Sequence, residues 1–183
     1  AGVVDLDATP QENIKALAKA KKVPVDQITA CILDRPRHMK LMEEVRDSGA
    51  AIKMITDGDV AGVIATTNSA ETGVDIYMGI GGAPEGVLAA AALRCIGGQM
   101  QGRLVTSSDE QKKRAAKMGV EDFNKKFELD EMASGDVLFA ATGVTNGSML
   151  QGGRFGANSV TTHSVVIRSV SGTVRWIKAS HTD

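Results

Sequence analysis

Aromatic residues are scarce in this sequence: one Trp, one Tyr and four Phe make up 3% of the chain. Surfaces that bind single-stranded nucleic acid stack bases on aromatic rings, so this composition disfavours that class of function. An excess of either charge is also missing, since 21 Lys and Arg face 22 Asp and Glu. No strong field therefore steers the chain toward a polyanion or a membrane surface, and a small-molecule partner is expected, with neither nucleic acid nor membrane. Long apolar runs are lacking too: the most extended small-residue stretch, Gly86 to Ala92, falls far short of the ~20 residues of a membrane-spanning helix. Of two cysteines, Cys31 and Cys95, neither belongs to a paired spacing, and free buried thiols are expected. No secretory leader is read at the start of the chain, so a reducing, cytoplasmic compartment is expected. His38, His163 and His181 show no metal-ligand spacing and no nucleophile–base arrangement.

What the sequence does have is enough apolar content, 43% over 183 residues, to bury the core of one domain. Thr9, Pro10 and Glu12 supply an N-cap, an N1 proline and a capping-box acid, which predicts a helix from about Pro10 to Lys21. Thr29 to Asp34 reads as a strand, and the helical pattern from His38 to Asp47 ends at Gly49, a C′ glycine. Ala51 to Thr56 reads as a second strand before a short helix from Val60 to Thr67. Val74 to Ile80 reads as a third, leading into a helix from Pro84 to Ile96. This alternation predicts an α/β fold, a mainly parallel sheet with helices on both faces. Beyond Gly98 the pattern predicts a short strand from Gln99 to Val105, then a charged helix from about Ser108 to Met118, N-capped by Ser107. A strand from Val137 to Val144 follows. Last comes a hairpin of Ser164 to Ser169 and Thr173 to Ala179, expected to extend the same sheet.

Open α/β sheets bind ligands beyond the carboxyl ends of their strands, and here those ends are loaded. The first exits into Asp34-Arg-Pro-Arg37, whose guanidinium forks match phosphate oxygens. An isolated Arg-Pro-Arg is more often a solvated turn, and it is the strand-end position that favours a phosphate clamp. The second exits into Asp57-Gly-Asp59, two carboxylates in one tight loop, suited to sugar hydroxyls or a cation, one of them expected to cap the following helix. The third exits into Gly81-Gly-Ala-Pro-Glu85, where backbone amides at a helix N-terminus favour phosphate. Glu85 there reads either as a helix-dipole acid or as a metal ligand. The strand at Val137 exits into Thr142-Gly143. A dinucleotide fingerprint is a poor fit, because Pro84 stands where the last glycine belongs. His38 reads as a surface residue at a helix start, and the Met residues as core filler.

Taken in order, Leu33-Asp-Arg-Pro-Arg-His38, Ile55-Thr-Asp-Gly-Asp-Val-Ala-Gly62, Gly79-Ile-Gly-Gly-Ala-Pro-Glu-Gly86, Ala140-Ala-Thr-Gly-Val-Thr145 and Thr161-Thr-His-Ser164 resemble the C-terminal half of class II fructose-1,6-bisphosphatases. That group includes the dual enzymes acting also on sedoheptulose-1,7-bisphosphate. The resemblance implies the lithium-sensitive sugar phosphatase fold, with residues 1–183 as its C-terminal α/β domain and the N-terminal metal-binding half lying outside this chain. It implies that Arg35, Pro36 and Arg37 line the substrate phosphate and sugar site, that Asp57, Gly58 and Asp59 contact the sugar, that Gly82 touches substrate and that Glu85 is a divalent-metal ligand. No catalytic residue is identified in this half. The reaction implied is Mg²⁺- or Mn²⁺-dependent hydrolysis of the 1-phosphate, in gluconeogenesis or the Calvin cycle, by a homo-oligomer. The chain alone is expected to be inactive.

Overall fold

The computed structural model describes residues 2–182. Its first unit is a three-stranded parallel sheet in the order β2 (Ala51–Ile55), β1 (Thr29–Leu33), β3 (Ile76–Tyr77). Register runs Thr29 to Ala51 through Leu33 to Ile55 on one side of β1 and Ala30 to Ile76 on the other. Because side chains alternate along a strand, β1 feeds two cores. Ala30 and Ile32 meet Ile14 and Ala18 of α1 (Pro10–Lys21) and Met42 and Val45 of α2 (Met39–Asp47). On the opposite face Cys31 lies beside Tyr77, whose ring lies against Gly62 of α3 (Asp59–Ala65).

The helix starts follow the sequence. Thr9 accepts from the Glu12 amide while Glu12 reaches back to Thr9, with Pro10 at the first position, and the expected end of α2 is marked by Gly49 at φ 90°. The charged helix α6 (Asp109–Lys117) differs by one residue: Ser108, rather than Ser107, accepts from the Gln111 amide. Gln111 in turn accepts from the Ser107 amide, so the reciprocal cap uses a glutamine at N3 where Glu110 was expected. Two short helical turns, α4 (Ser69–Thr72) and α7 (Leu129–Met132), and a small pair, β4 (Gln101–Gly102) with β5 (Phe127–Glu128), complete the periphery.

The expectation of one mainly parallel sheet is corrected by the C-terminal third. β6 (Leu138–Thr142), β7 (Arg154–Phe155), β8 (Ser159–Arg168) and β9 (Thr173–Thr182) form a separate antiparallel sheet. The hairpin of β8 and β9 does not extend the parallel sheet. Between the two sheets lie α3 and α5 (Ala83–Ile96). Val63, Ala89 and Leu93 pack with Tyr77 on the parallel side. Val60, Ile64, Ala92 and Cys95 pack with Phe139, Val165 and Ile167 on the antiparallel side. A helix sandwiched this way is apolar nearly all round, which accounts for the Ala-rich stretch of α5. Period alone cannot tell a strand that continues one sheet from a strand that begins another. Helices do cover both faces of the parallel sheet, in a mixed α/β architecture. Cys31 and Cys95 are free and buried, and burial pushes both thiols above their ordinary range. Among the described residues no helix is long and apolar enough to cross a membrane.

Candidate functional site

Three loops leave the carboxyl ends of the parallel strands and meet on the segment from Gly79 to Glu85. The joint begins with His38, which is only 1% exposed, against the surface position expected for it. Its Nδ1–H donates to the Leu33 carbonyl at 2.8 Å, and its Nε2 accepts the Ile80 amide at 2.8 Å. Both polar ends of Ile80 are held, since its carbonyl accepts from Nε and Nη2 of Arg37 at 3.0 and 2.7 Å. Only glycine fits at position 79: a Cβ there would stand 3.1 Å from the His38 ring. The loop after β1 and the loop after β3 are thereby locked together.

The second strand's loop reaches the same segment. Gly58, at φ 76°, occupies the N-cap of α3 with no side-chain cap, so the expectation that one aspartate caps this helix is corrected. Asp59 sits inside the first turn, accepting weakly from the Val60 amide at 3.2 Å. Its carboxylate lies against Gly81, where a Cβ would be 2.7 Å from Oδ2. Asp57 stays exposed at the loop tip. Beneath Asp59, the Tyr77 hydroxyl is buried with no hydrogen-bond partner, and burial, reinforced by the nearby Asp59 charge, pushes its pKa far up.

Glu85 is at the third position of α5, after Gly82 at the N-cap and Pro84. Its carboxylate folds back over Gly82, so closely that a Cβ on residue 82 would stand 2.1 Å from Oε2. Among the described residues nothing donates to it or pairs with it, and the side chain is exposed beside a helix N-terminus. Arg35 donates from Nη1 to the Asp34 carbonyl at 2.8 Å, and Pro36 opens the turn that presents Arg37.

Arg37, Asp59, Gly82 and Glu85 thus share one glycine-rich ledge, with Arg35, Pro36, Asp57 and Gly58 on the two loops beside it. Thr142 and Gly143 do not join them. They leave a strand of the antiparallel sheet, where Thr142 Oγ1 and Ser164 Oγ are 2.8 Å apart and the Gly143 amide donates to the His163 carbonyl. Sequence reasoning missed His38 as the bolt between loops, although its place directly after Arg-Pro-Arg was a usable signal.

Chemically the ledge offers a guanidinium, acidic acceptors for hydroxyl groups, and backbone amides at a helix start. For a divalent cation the donor set is incomplete: Glu85 is one oxygen donor, and no group of three His, Cys, Asp or Glu side chains comes together among the described residues. Mg²⁺ takes near-octahedral oxygen coordination, commonly from one or two carboxylates with waters and substrate phosphates, and no chemical step is assigned to a metal on these residues.

A profile of the family described as bacterial fructose-1,6-bisphosphatase, glpX-encoded, matches residues 1–181. A relative from Synechococcus sp. strain JA-2-3B'a(2-13), named D-fructose 1,6-bisphosphatase class 2/sedoheptulose 1,7-bisphosphatase, is 39% identical over 193 residues, covering 98% of this chain and 55% of its own. A protein of the same name from Trichodesmium erythraeum strain IMS101 is 39% identical over 191 residues, covering 97% of this chain and 55% of its own. The chain therefore spans about half the length of the curated relatives it matches.

Proposed function

The chain belongs to the bacterial, glpX-encoded fructose-1,6-bisphosphatase family, and on that premise we propose that it is the substrate-binding half of a metal-dependent sugar-bisphosphate phosphatase. The reaction is hydrolysis of the 1-phosphate of fructose-1,6-bisphosphate, with sedoheptulose-1,7-bisphosphate as a second substrate. The observation that carries this reading is the convergence of Arg37, Asp59 and Glu85 on the Gly79–Glu85 ledge. Each group suits one part of such a substrate.

In this proposal Arg37, set by Pro36 and helped by Arg35, holds a phosphate. Two of its N–H groups are engaged by the Ile80 carbonyl, which fixes the fork and leaves the remaining donors for phosphate oxygens. Asp57 and Asp59, spaced by Gly58, accept from sugar hydroxyls, and Gly82 lets the substrate approach the backbone at the start of α5. Glu85 gives one carboxylate oxygen to a Mg²⁺ or Mn²⁺ ion. The other ligands come from a segment equivalent to the rest of the relatives' length, so the domain is the C-terminal half of a lithium-sensitive sugar phosphatase fold. A homo-oligomer in the cytoplasm completes the proposal.

Two other classes compete, a dinucleotide-binding oxidoreductase domain and a non-catalytic sugar-phosphate-binding module. The test is phosphate release from fructose-1,6-bisphosphate by the full-length protein with and without Mg²⁺ or Mn²⁺. Metal-dependent release that ignores nicotinamide cofactors is expected. Substrate binding without turnover under every metal condition would favour the binding module.

A further inference from the structure

The structure carries a second, independent cluster of ligand-binding groups, on the antiparallel sheet. Register places Arg154 opposite Thr161, and His163 opposite Lys178. Thr161 and His163 are two apart on β8 and so share a face, and all four residues line one cavity of about 100 Å³. No carboxylate lines that cavity. Neither Arg154 nor Lys178 forms an ion pair with any described acid, whereas Lys21, Arg94, Arg103 and Lys126 each do. Two like charges gathered in one concavity repel each other, and an anion between them relieves that repulsion.

His163 is set up as a donor. The Gln151 amide donates to its Nδ1 at 3.1 Å, so the neutral ring carries its hydrogen on Nε2. The Trp176 ring lies beside it, 5.9 Å away centroid to centroid. Two cations, an imidazole N–H and a threonine hydroxyl suit a tetrahedral oxyanion with several acceptor oxygens. The size decides between classes: sites for whole drug-sized ligands run to roughly 300–1,000 Å³, so a cavity of about 100 Å³ takes one phosphoryl group and leaves any attached organic part outside.

We propose that Arg154, Thr161, His163 and Lys178 form a binding site for a phosphoryl dianion, separate from the strand-end ledge. The ligand is either free phosphate or the phosphate of a small monoester.

The experiment is a titration of the protein with inorganic phosphate, and in a second arm with glycerol 3-phosphate, following the His163 ring signals by NMR. A chloride control at matched ionic strength removes screening effects. Saturable movement of the His163 signals is expected, retained in Arg37→Ala, which separates this site from the ledge. It should weaken by about tenfold or more in Arg154→Ala and in Lys178→Ala, the factor a lost charged hydrogen bond carries. Both substitutions are at exposed positions, and Thr161→Val gives a milder third variant. Binding of phosphate alone assigns the site to the free ion, and binding of both to phosphorylated metabolites. Signals that move no further than in chloride, or binding unchanged in both cation variants, overturns the proposal.

Discussion

The amide of Ile80 donates to Nε2 of His38 across 2.8 Å, although the two residues lie 42 positions apart. This bond, with the one from Nδ1 to Leu33, makes the ledge a fixed surface rather than a free loop. His38→Ala leaves the buried Leu33 carbonyl and the Ile80 amide without their partner, at a cost of about 1–3 kcal/mol. Denaturant unfolding should show that loss. Substrate affinity should fall with it, because Arg37 and Ile80 are no longer held in register. An unchanged KM with lowered stability would restrict His38 to a structural role.

Arg37→Ala removes both the lock on Ile80 and the phosphate contact proposed for the remaining donors. A charged hydrogen bond is worth about 1.5–3 kcal/mol, so KM in the full-length enzyme should rise by roughly one to two orders of magnitude. Arg37→Lys should recover little, since an ammonium cannot fork onto the Ile80 carbonyl and a phosphate together. Equal KM in wild type and both variants would refute the assignment.

Glu85 and Gly82 make a paired test. Glu85→Gln keeps size and a polar group at the helix start but removes the charge, so the fold should hold while the metal concentration needed for activity rises and kcat drops strongly. Gly82→Ala pushes the Glu85 carboxylate from its place over the backbone, and its flexible side chain yields more readily than the main chain. It should therefore copy the metal defect of Glu85→Gln with little effect on melting temperature. Normal metal dependence in Glu85→Gln would leave the acid as a helix-dipole group only.

The N-terminal segment gives a pH prediction. Lys126 donates to Asp5 and Asp7, and Arg103 to Asp7. Those hydrogen bonds hold both carboxyls below their usual range and Lys126 above its own. For the two acids, folded pKa below unfolded means the contribution is present above about pH 4 and lost as pH falls further. For Lys126, folded pKa above unfolded means the contribution is complete below about pH 10 and lost as pH rises beyond. Protection factors for amide exchange around Asp5 to Ala8, which divide out the intrinsic acid and base catalysis, should thus fall at both extremes and stay high between them. Since these groups are solvent-exposed, salt should weaken the effect. A profile flat from acid to alkaline pH would contradict it.

Much of this was legible in the sequence, and the failures have physical causes. Helix limits were readable because Thr9, Pro10, Glu12 and Gly49 act over one turn, a range that sequence spacing records. The ledge was readable because its residues follow the strands of a parallel sheet. The separate antiparallel sheet was not, because Val137 to Val144 and the hairpin show strand periodicity without stating what they pair with. β3 was expected over Val74 to Ile80 and pairs at Ile76–Tyr77, with the Asp75 and Met78 amides donating to the Thr29 and Cys31 carbonyls at its two ends; past Met78 the chain leaves β1, and the Ile80 amide donates to His38 instead. The burial of His38 was hidden for a similar reason: its partners, Leu33 and Ile80, come from two strand ends that only the fold brings together.

On the function proposed above, this chain supplies the substrate ledge and one metal ligand, and the other ligands come from the rest of the relatives' length. Phosphate release from fructose-1,6-bisphosphate, followed with Mg²⁺ and with Mn²⁺, tests it on the 183-residue chain purified free of any longer enzyme. No turnover is expected from the chain alone, and turnover is expected once the segment equivalent to the rest of the relatives' length is added. Robust metal-dependent release by the chain alone would contradict it, and would move the missing carboxylates to Asp57 and Asp59.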